Sequence, residues 1–273
     1  MSYAGAPVDE EQVEEEPNDD AKSANGVQLG TITGELTGKE QDHFTISTPE
    51  SSAAGGYFEI RITDIASTEL IRVDVYSSFD EGQIYYDGSD SSGQSVLVYF
   101  LAAPEQAYRI VVGHWNLGST AVSSYKLDLR YKRFVDVYEP NNEQDVAADI
   151  ELDVPVSAFM AAGHRAAAVE SAEFSDWYAF QAAAGTLNVL IDQVPKNVEL
   201  VAQLFNAAGV KVGAAQGGGN QGADVMLSRT LPADGRYFLH VTHEPLAPAT
   251  HGPLTVDGPP THVVQPYSLL VSQ

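Results

Sequence analysis

The sequence has no cysteine. That absence excludes disulfides, thiol catalysis and thiolate zinc sites, and it leaves the compartment open, because many exported bacterial proteins carry no disulfide. No run of about 18 apolar residues occurs, so no segment reads as a membrane-spanning helix. Bases are scarce: 14 Lys and Arg stand against 38 Asp and Glu, a formal net charge of −24. Such a surface repels phosphate backbones, which argues against nucleic acid as a partner, and it favours solubility and cations, calcium above all. The common enzyme signatures are missing too. There is no Gly-x-Ser-x-Gly elbow, His-Glu-x-x-His helix, Walker loop or dinucleotide fingerprint. His240 and His243 stand three apart in a strand pattern, so they face opposite ways and cannot clasp one metal together.

What is present is a chain able to build a core, with 44% hydrophobic residues, 23 glycines and 14 prolines. Residues 1–13 are small and then acidic and read as a disordered tail. Beyond them the pattern alternates with period two. "DHFTIST", "GYFEIRITDI", "LIRVDVYSS", "QSVLVYF", "AYRIVVGH" and "YKLDLRY" each predict a half-buried strand. In residues 58–65, Phe58, Ile60, Ile62 and Asp64 are expected on one face, and Glu59, Arg61, Thr63 and Ile65 on the other. After Tyr138 the series restarts with "DWYAFQA", "GTLNVLIDQV", "VELVAQLFN", "ADVMLSRTL", "GRYFLHVTH" and "YSLLVSQ". Residues 161–173 read as a short helix or a loop; 213–223 and 245–262 read as loops.

The two halves can be superposed as sequences. "EEEPNDDA" at 14–21 returns as "YEPNNEQDVA" at 138–147. Asp42-His43-Phe44 matches Asp176-Trp177-Tyr178, "GYFEIRI" matches "GTLNVLI", and "AYRIVV" matches "RYFLHV". Each half closes on a Tyr-led strand: Tyr125, Leu127, Leu129 and Tyr267, Leu269, Val271. Ordered correspondences of this kind mark a tandem repeat of one all-β unit, with domains expected at 14–132 and 136–273.

This order of motifs resembles the bacterial pre-peptidase C-terminal domain, a family similar to the collagen-binding domains of clostridial collagenases. The resemblance rests on Glu16-Pro17-Asn18-Asp19 and Glu139-Pro140-Asn141-Asn142, on Asp42 and Asp176 before their aromatic pairs, and on the closing Tyr-led strands. It implies two jelly-roll-like antiparallel β-sandwiches. It further implies a non-catalytic module of an exported protein, with calcium bound in some members where the leader meets the sandwich. The family's Asp-x-Asp is Glu40-Gln41-Asp42 in the first half and Phe174-Ser175-Asp176 in the second, so the second set lacks an acid there, with Glu173 adjacent.

The residues themselves point to the same ion. Calcium takes six to eight oxygens, more than one short loop supplies. Glu14, Glu16, Asn18 and Asp19 offer oxygens on one stretch, and Glu40 and Asp42 are expected to complete the shell. The second set would be Glu139, Asn141, Asn142, Glu173 and Asp176, weaker because Val137 stands where Glu14 stands. The competing reading is a plain turn in which Asn18 or Asp19 bonds its own backbone. Thirteen tyrosines suggest a further surface, in which Tyr85 and Tyr86 of "IYYDG", read as lying between strands, join Trp115 to contact a ligand or else cover a sheet edge.

The sequence therefore predicts an extracellular or cell-surface binding or targeting module, its export signal lying outside this sequence. The expected partner is an extracellular polymer, a matrix or a cell-surface protein. The alternatives are a self-associating or decorating subunit of an extracellular assembly, and a hydrolase of unrecognised type.

Overall fold

The computed structural model describes residues 11–49, 55–77, 83–89, 91–115, 122–160, 174–243 and 264–273. The readings of 161–173 and 245–262, and of Glu173, fall outside the described residues. The chain divides into two compact units whose main joint lies between Arg133 and Phe134.

In the first unit, β1 (Gln12–Val13), β2 (Asn25–Gly26), β3 (Gly30–Thr37), β4 (Gln41–Ser47), β5 (Gly56–Thr63), β6 (Ile71–Ser77), β7 (Gln83–Gly88), β8 (Val96–Ala102), β9 (Ala107–His114) and β10 (Val122–Arg133) form two sheets. Their orders are β1-β3-β10-β5-β8 and β2-β4-β9-β6-β7. In the second unit the strands are β11 (Ala148–Asp149), β12 (Val156–Ala158), β13 (Ser175–Ala182), β14 (Gly185–Asp192), β15 (Leu200–Asn206), β16 (Gln216–Gly217), β17 (Val225–Leu231), β18 (Gly235–His243) and β19 (Tyr267–Ser272). Their orders are β12-β19-β14-β17 and β11-β13-β18-β15-β16. Strand for strand, β12-β19-β14-β17 repeats β3-β10-β5-β8, and the other sheet repeats β2-β4-β9-β6-β7. The chain is all-β, and its two halves share one topology.

Alternation builds each sandwich. Phe58, Ile60 and Ile62 of β5 are fully buried, and they share one core with Phe44 of β4, Val73 of β6, Phe100 of β8, Ile110 of β9 and Leu127 of β10. That list draws on both sheets, which is what two dry faces packed together require. Phe100 stacks on Phe58 at 5.1 Å and meets Tyr108 edge-on at 5.1 Å. Phe100→Ala would empty this cluster. It is expected to lower stability by about 3–5 kcal/mol in chemical denaturation, the usual cost of a Phe-sized hole; a loss below about 1 kcal/mol would deny Phe100 its central place.

Three local readings change. Ile65 was expected on the wet face, but Asp64 takes a left-handed backbone (φ 59°), breaks the pleat and returns Ile65 to the core. β3 gives a weak strand signal because Gly30 and Gly34 interrupt it, yet it lies inside its sheet between β1 and β10. Tyr85 and Tyr86 lie within β7, opposite Val75 and Asp74 of β6, rather than between strands; the reading of their side chains falls outside what is described. Short parallel pairings are added to the antiparallel sheets, β1 on β3, β2 on β4 and β11 on β13.

Candidate functional site

The first leader is stitched to its own sandwich. Gln12 and Val13, expected to belong to the disordered tail, instead pair with Ile32 and Thr33 because the edge of β3 offers them backbone partners, and the Glu14 N–H donates to Thr33 O at 3.1 Å. The His43 N–H donates to Asn18 O at 3.0 Å, so the leader crosses the strand that carries Asp42. Asn25 braces the crossing by accepting from Glu15 N–H at 2.9 Å and donating back to Glu15 O at 2.9 Å. The Glu16–Pro17 and Glu139–Pro140 bonds are both cis.

These contacts bring acids together. Glu14, Glu16 and Asp42 each place a carboxylate oxygen within 4.8 Å of the other two, and they are the only such trio of potential ligands among the described residues. Asn18 and Asp42 are completely buried. The Tyr125 hydroxyl of β10 donates to Asp42 Oδ2 at 2.5 Å, while Glu14 Oε1 accepts from the Glu35 N–H. Asn18 donates through Nδ2 to Glu14 Oε2 at 3.4 Å. Two buried acceptors are then left without any donor: Asn18 Oδ1 and Asp42 Oδ1. Burial pushes the Asp42 carboxyl up to about 9; the charge of Glu14 pushes the same way, and the Tyr125 hydrogen bond resists. Burial raises Glu14 as well. The cluster has carboxylates and bare acceptors, so a positive charge, proton or metal, is what it lacks.

Of the expected ligands, Glu14, Glu16, Asn18 and Asp42 come together. Asp19 is exposed and outside the trio. Glu40 is outside it too: the carboxylate turns back to cap the Thr37 N–H, because Glu40 sits in the turn before β4, where strand alternation does not carry it to the side of Asp42. The plain-turn reading describes Asp20 instead, whose side chain accepts from the backbone of Lys22 and Ser23.

The second leader repeats the stitching. The Trp177 N–H donates to Asn141 O at 2.7 Å, and Glu139 Oε2 accepts from the Asn141 N–H at 3.1 Å, as Glu16 Oε2 does from Asn18 at 3.0 Å. The Tyr267 hydroxyl donates to Asp176 Oδ2 at 2.5 Å and also meets the Tyr178 hydroxyl at 2.5 Å. Asp176 and Asn141 are 1% exposed. Four acceptors lack a donor: Glu139 Oε1, Asn141 Oδ1, Asn142 Oδ1 and Asp176 Oδ1. Burial raises Glu139 to about 7 and holds Asp176 well above the ordinary carboxyl range.

One residue escaped the sequence reading. Asp136 accepts from the Phe159 N–H at 2.8 Å through Oδ2 and from the Tyr138 N–H at 3.0 Å through Oδ1. Its only sequence signal is that it lies one position before Val137, off the register of the Glu-Pro-Asn match.

Of the expected tyrosine surface, the described side chain is that of Trp115. Trp115 is exposed, with its ring laid over Gly88, where an added Cβ would come within 2.6 Å of the ring, and with the Arg72 guanidinium 5.7 Å from its centre. It packs on the end of β7 with about half its surface open, an arrangement that suits both the ligand-contact and the edge-cover readings.

No protein-family profile and no curated protein sequence matches the chain. Among solved structures it is similar to the pre-peptidase C-terminal domain of the Bacillus anthracis collagenase, at 19% identity over 39% of this chain and 94% of that one, with a TM-score of 0.30. It is also similar to the tandem CBM22-1–CBM22-2 domains of Paenibacillus barcinonensis Xyn10C, at 8% identity over 89% and 85%, TM-score 0.27. A third likeness is to the PBSX exported protein XepA, at 10% identity over 78% and 84%, TM-score 0.27. Likenesses this shallow do not say what the chain binds. On its own geometry the chain defines a class: a tandem β-sandwich with an acidic, leader-clamped site in each repeat.

Proposed function

We propose that the chain is a non-catalytic binding and positioning module that works outside the cell, with calcium as the staple that fixes the first leader to its sandwich. The observation that carries the metal is the pairing of a tight trio of carboxylates with two buried, donorless oxygens, Asn18 Oδ1 and Asp42 Oδ1. Oxygens bound to one calcium at about 2.4 Å lie at most about 4.8 Å apart, the span this trio keeps. Glu14, Glu16, Asp42 and Asn18 would hold the ion. It would supply the positive charge that two or three crowded carboxylates need, and it would displace the protons they otherwise retain.

A clamped leader suits a positioning role, since it sets the direction in which any preceding chain leaves the sandwich. An extracellular polymer, a matrix or a cell-surface protein is the partner such a module would serve, and millimolar calcium there would fill even a modest site.

Calcium is expected to raise the melting temperature of the intact chain. At a hundredfold excess over its dissociation constant one ion adds about 2.7 kcal/mol. Differential scanning calorimetry in calcium and in chelator checks it. Identical melting curves would remove the metal from this reading.

A further inference from the structure

Asn25-Gly26 is the single Asn-Gly step in the chain. The Asn25 side chain holds the first leader with both ends of its amide. Its Oδ1 accepts from the Glu15 N–H at 2.9 Å, and its Nδ2 donates to Glu15 O at 2.9 Å. The same Oδ1 accepts from Nδ2 of the buried Asn18 at 3.3 Å. The backbone around it is tied to β4: the Thr45 hydroxyl donates to Asn25 O at 3.4 Å, and the Val27 N–H donates to Thr45 O at 2.9 Å.

Gly26 is not a glycine that the fold demands. Its φ lies outside the left-handed region, and a Cβ there would meet only Thr45 Oγ1, at 3.9 Å. Gly34, by contrast, is crowded by Tyr125 and Glu14. What the missing side chain at Gly26 does is chemical. It leaves the backbone nitrogen of an exposed residue unshielded beside the half-buried Asn25 amide.

We infer that Asn25-Gly26 is a self-modification site, at which deamidation irreversibly loosens the first leader. The Gly26 nitrogen, having given its proton to hydroxide, bonds to Asn25 Cγ. The Cγ–Nδ2 bond breaks, Nδ2 takes a proton from water and leaves as ammonia, and a cyclic succinimide remains. Water then opens the ring at either carbonyl, giving aspartate or isoaspartate. The sum is amide plus water to acid plus ammonia, with nothing oxidised or reduced. A docked leader blocks the step, because Cγ cannot turn to the Gly26 nitrogen without giving up both hydrogen bonds to Glu15. The reaction runs in the molecules whose leader has opened, so its rate follows that opening. The product cannot restore the clasp. Aspartate sets an acceptor against Glu15 O where the Nδ2 donor stood, and isoaspartate lengthens the backbone of β2 against its pairing with β4.

Timed incubation of the intact chain at mildly alkaline pH tests it, read by peptide mass spectrometry across residue 25 and by isoaspartate methyltransferase labelling. Chelator throughout keeps the outcome independent of calcium. The folded chain should convert at least about tenfold more slowly than the same chain in denaturant, and Gly26→Ala should stay an amide in the folded state. The aged protein, and Asn25→Asp as its stand-in, should melt about 2–8 °C lower than the fresh parent. Both should also be cut faster after Glu14 and Glu15 by a glutamate-specific protease. Gly26→Ala aged alongside should keep its melting temperature and its resistance, which separates loss of the amide from general ageing. Equal rates in the folded and unfolded chain would show that the leader does not gate the step. Conversion with unchanged melting and cleavage would show that Asn25 does not hold the leader. Either result overturns the inference.

Discussion

Asp42→Asn is expected to stabilise the protein in chelator and to erase most of its response to calcium. The Asp42 carboxyl is fully buried, and its burial lifts it to about 9. At neutral pH the unfolded chain has released this proton, whereas the folded chain without a cation must take it up. The cost is absent below the ordinary carboxyl range, at about 3.8, and grows as pH rises towards about 9, so stability in chelator falls across that window. An amide avoids the proton and offers an N–H₂ where Asp42 Oδ1 now lacks a donor. The variant should gain about 1–3 kcal/mol in chelator at pH 7 and show a flatter pH profile. It should also lose the stabilisation that calcium gives the parent, because a charged ligand is gone. Denaturant titrations in chelator and in calcium, at pH 5 and pH 8, read all of this. A variant less stable than its parent in chelator would show that Asp42 is not a strained, proton-holding acid.

Gly34→Ala is the second large effect. The strand backbone itself tolerates alanine, since Ala158 holds the equivalent place opposite Tyr267. The trouble is local: the new methyl would lie 2.5 Å from both Cζ and the hydroxyl oxygen of Tyr125, a ring tip pinned by Asp42 in a site with no space to yield. Overpacking of this kind costs about 1–3 kcal/mol. Displacing Tyr125 and Glu14 should also remove the stabilisation by calcium expected of the first repeat. The reciprocal Ala158→Gly only opens space and should cost about 0.5–1 kcal/mol. Equal penalties for the two changes would mean that the glycine does not make room for Glu14.

Much of this architecture was legible beforehand. Period-two alternation announced β5, β9, β14 and β18, since a strand with one dry and one wet face must write that pattern whatever lies around it. The doubled Glu-Pro-Asn leader and the paired Tyr-led strands announced the repeat. Short spacing and acid type suffice to group Glu14, Glu16, Asn18 and Asp42, and the fold brings the four side chains together. Glu40 was misplaced because alternation was carried across a turn, where the chain reverses and the pleat does not hold. β3 was missed because Gly30 and Gly34 weaken its strand signal, and Gly34 is there to let Tyr125 and Glu14 approach.

The sequence by itself determined the all-β class, the duplication and the acidic character of the leaders, because these depend on local periodicity and on residue type. Only the tertiary structure decided which acids meet. Asp136 caps the Phe159 N–H, as Glu14 caps the Glu35 N–H, although no motif marks it, because the partner of a carboxylate is set by the backbone N–H it reaches and by the volume left beside it. Here that volume is the difference between Gly34 and Ala158, two residues far from either leader in the chain and next to them in space.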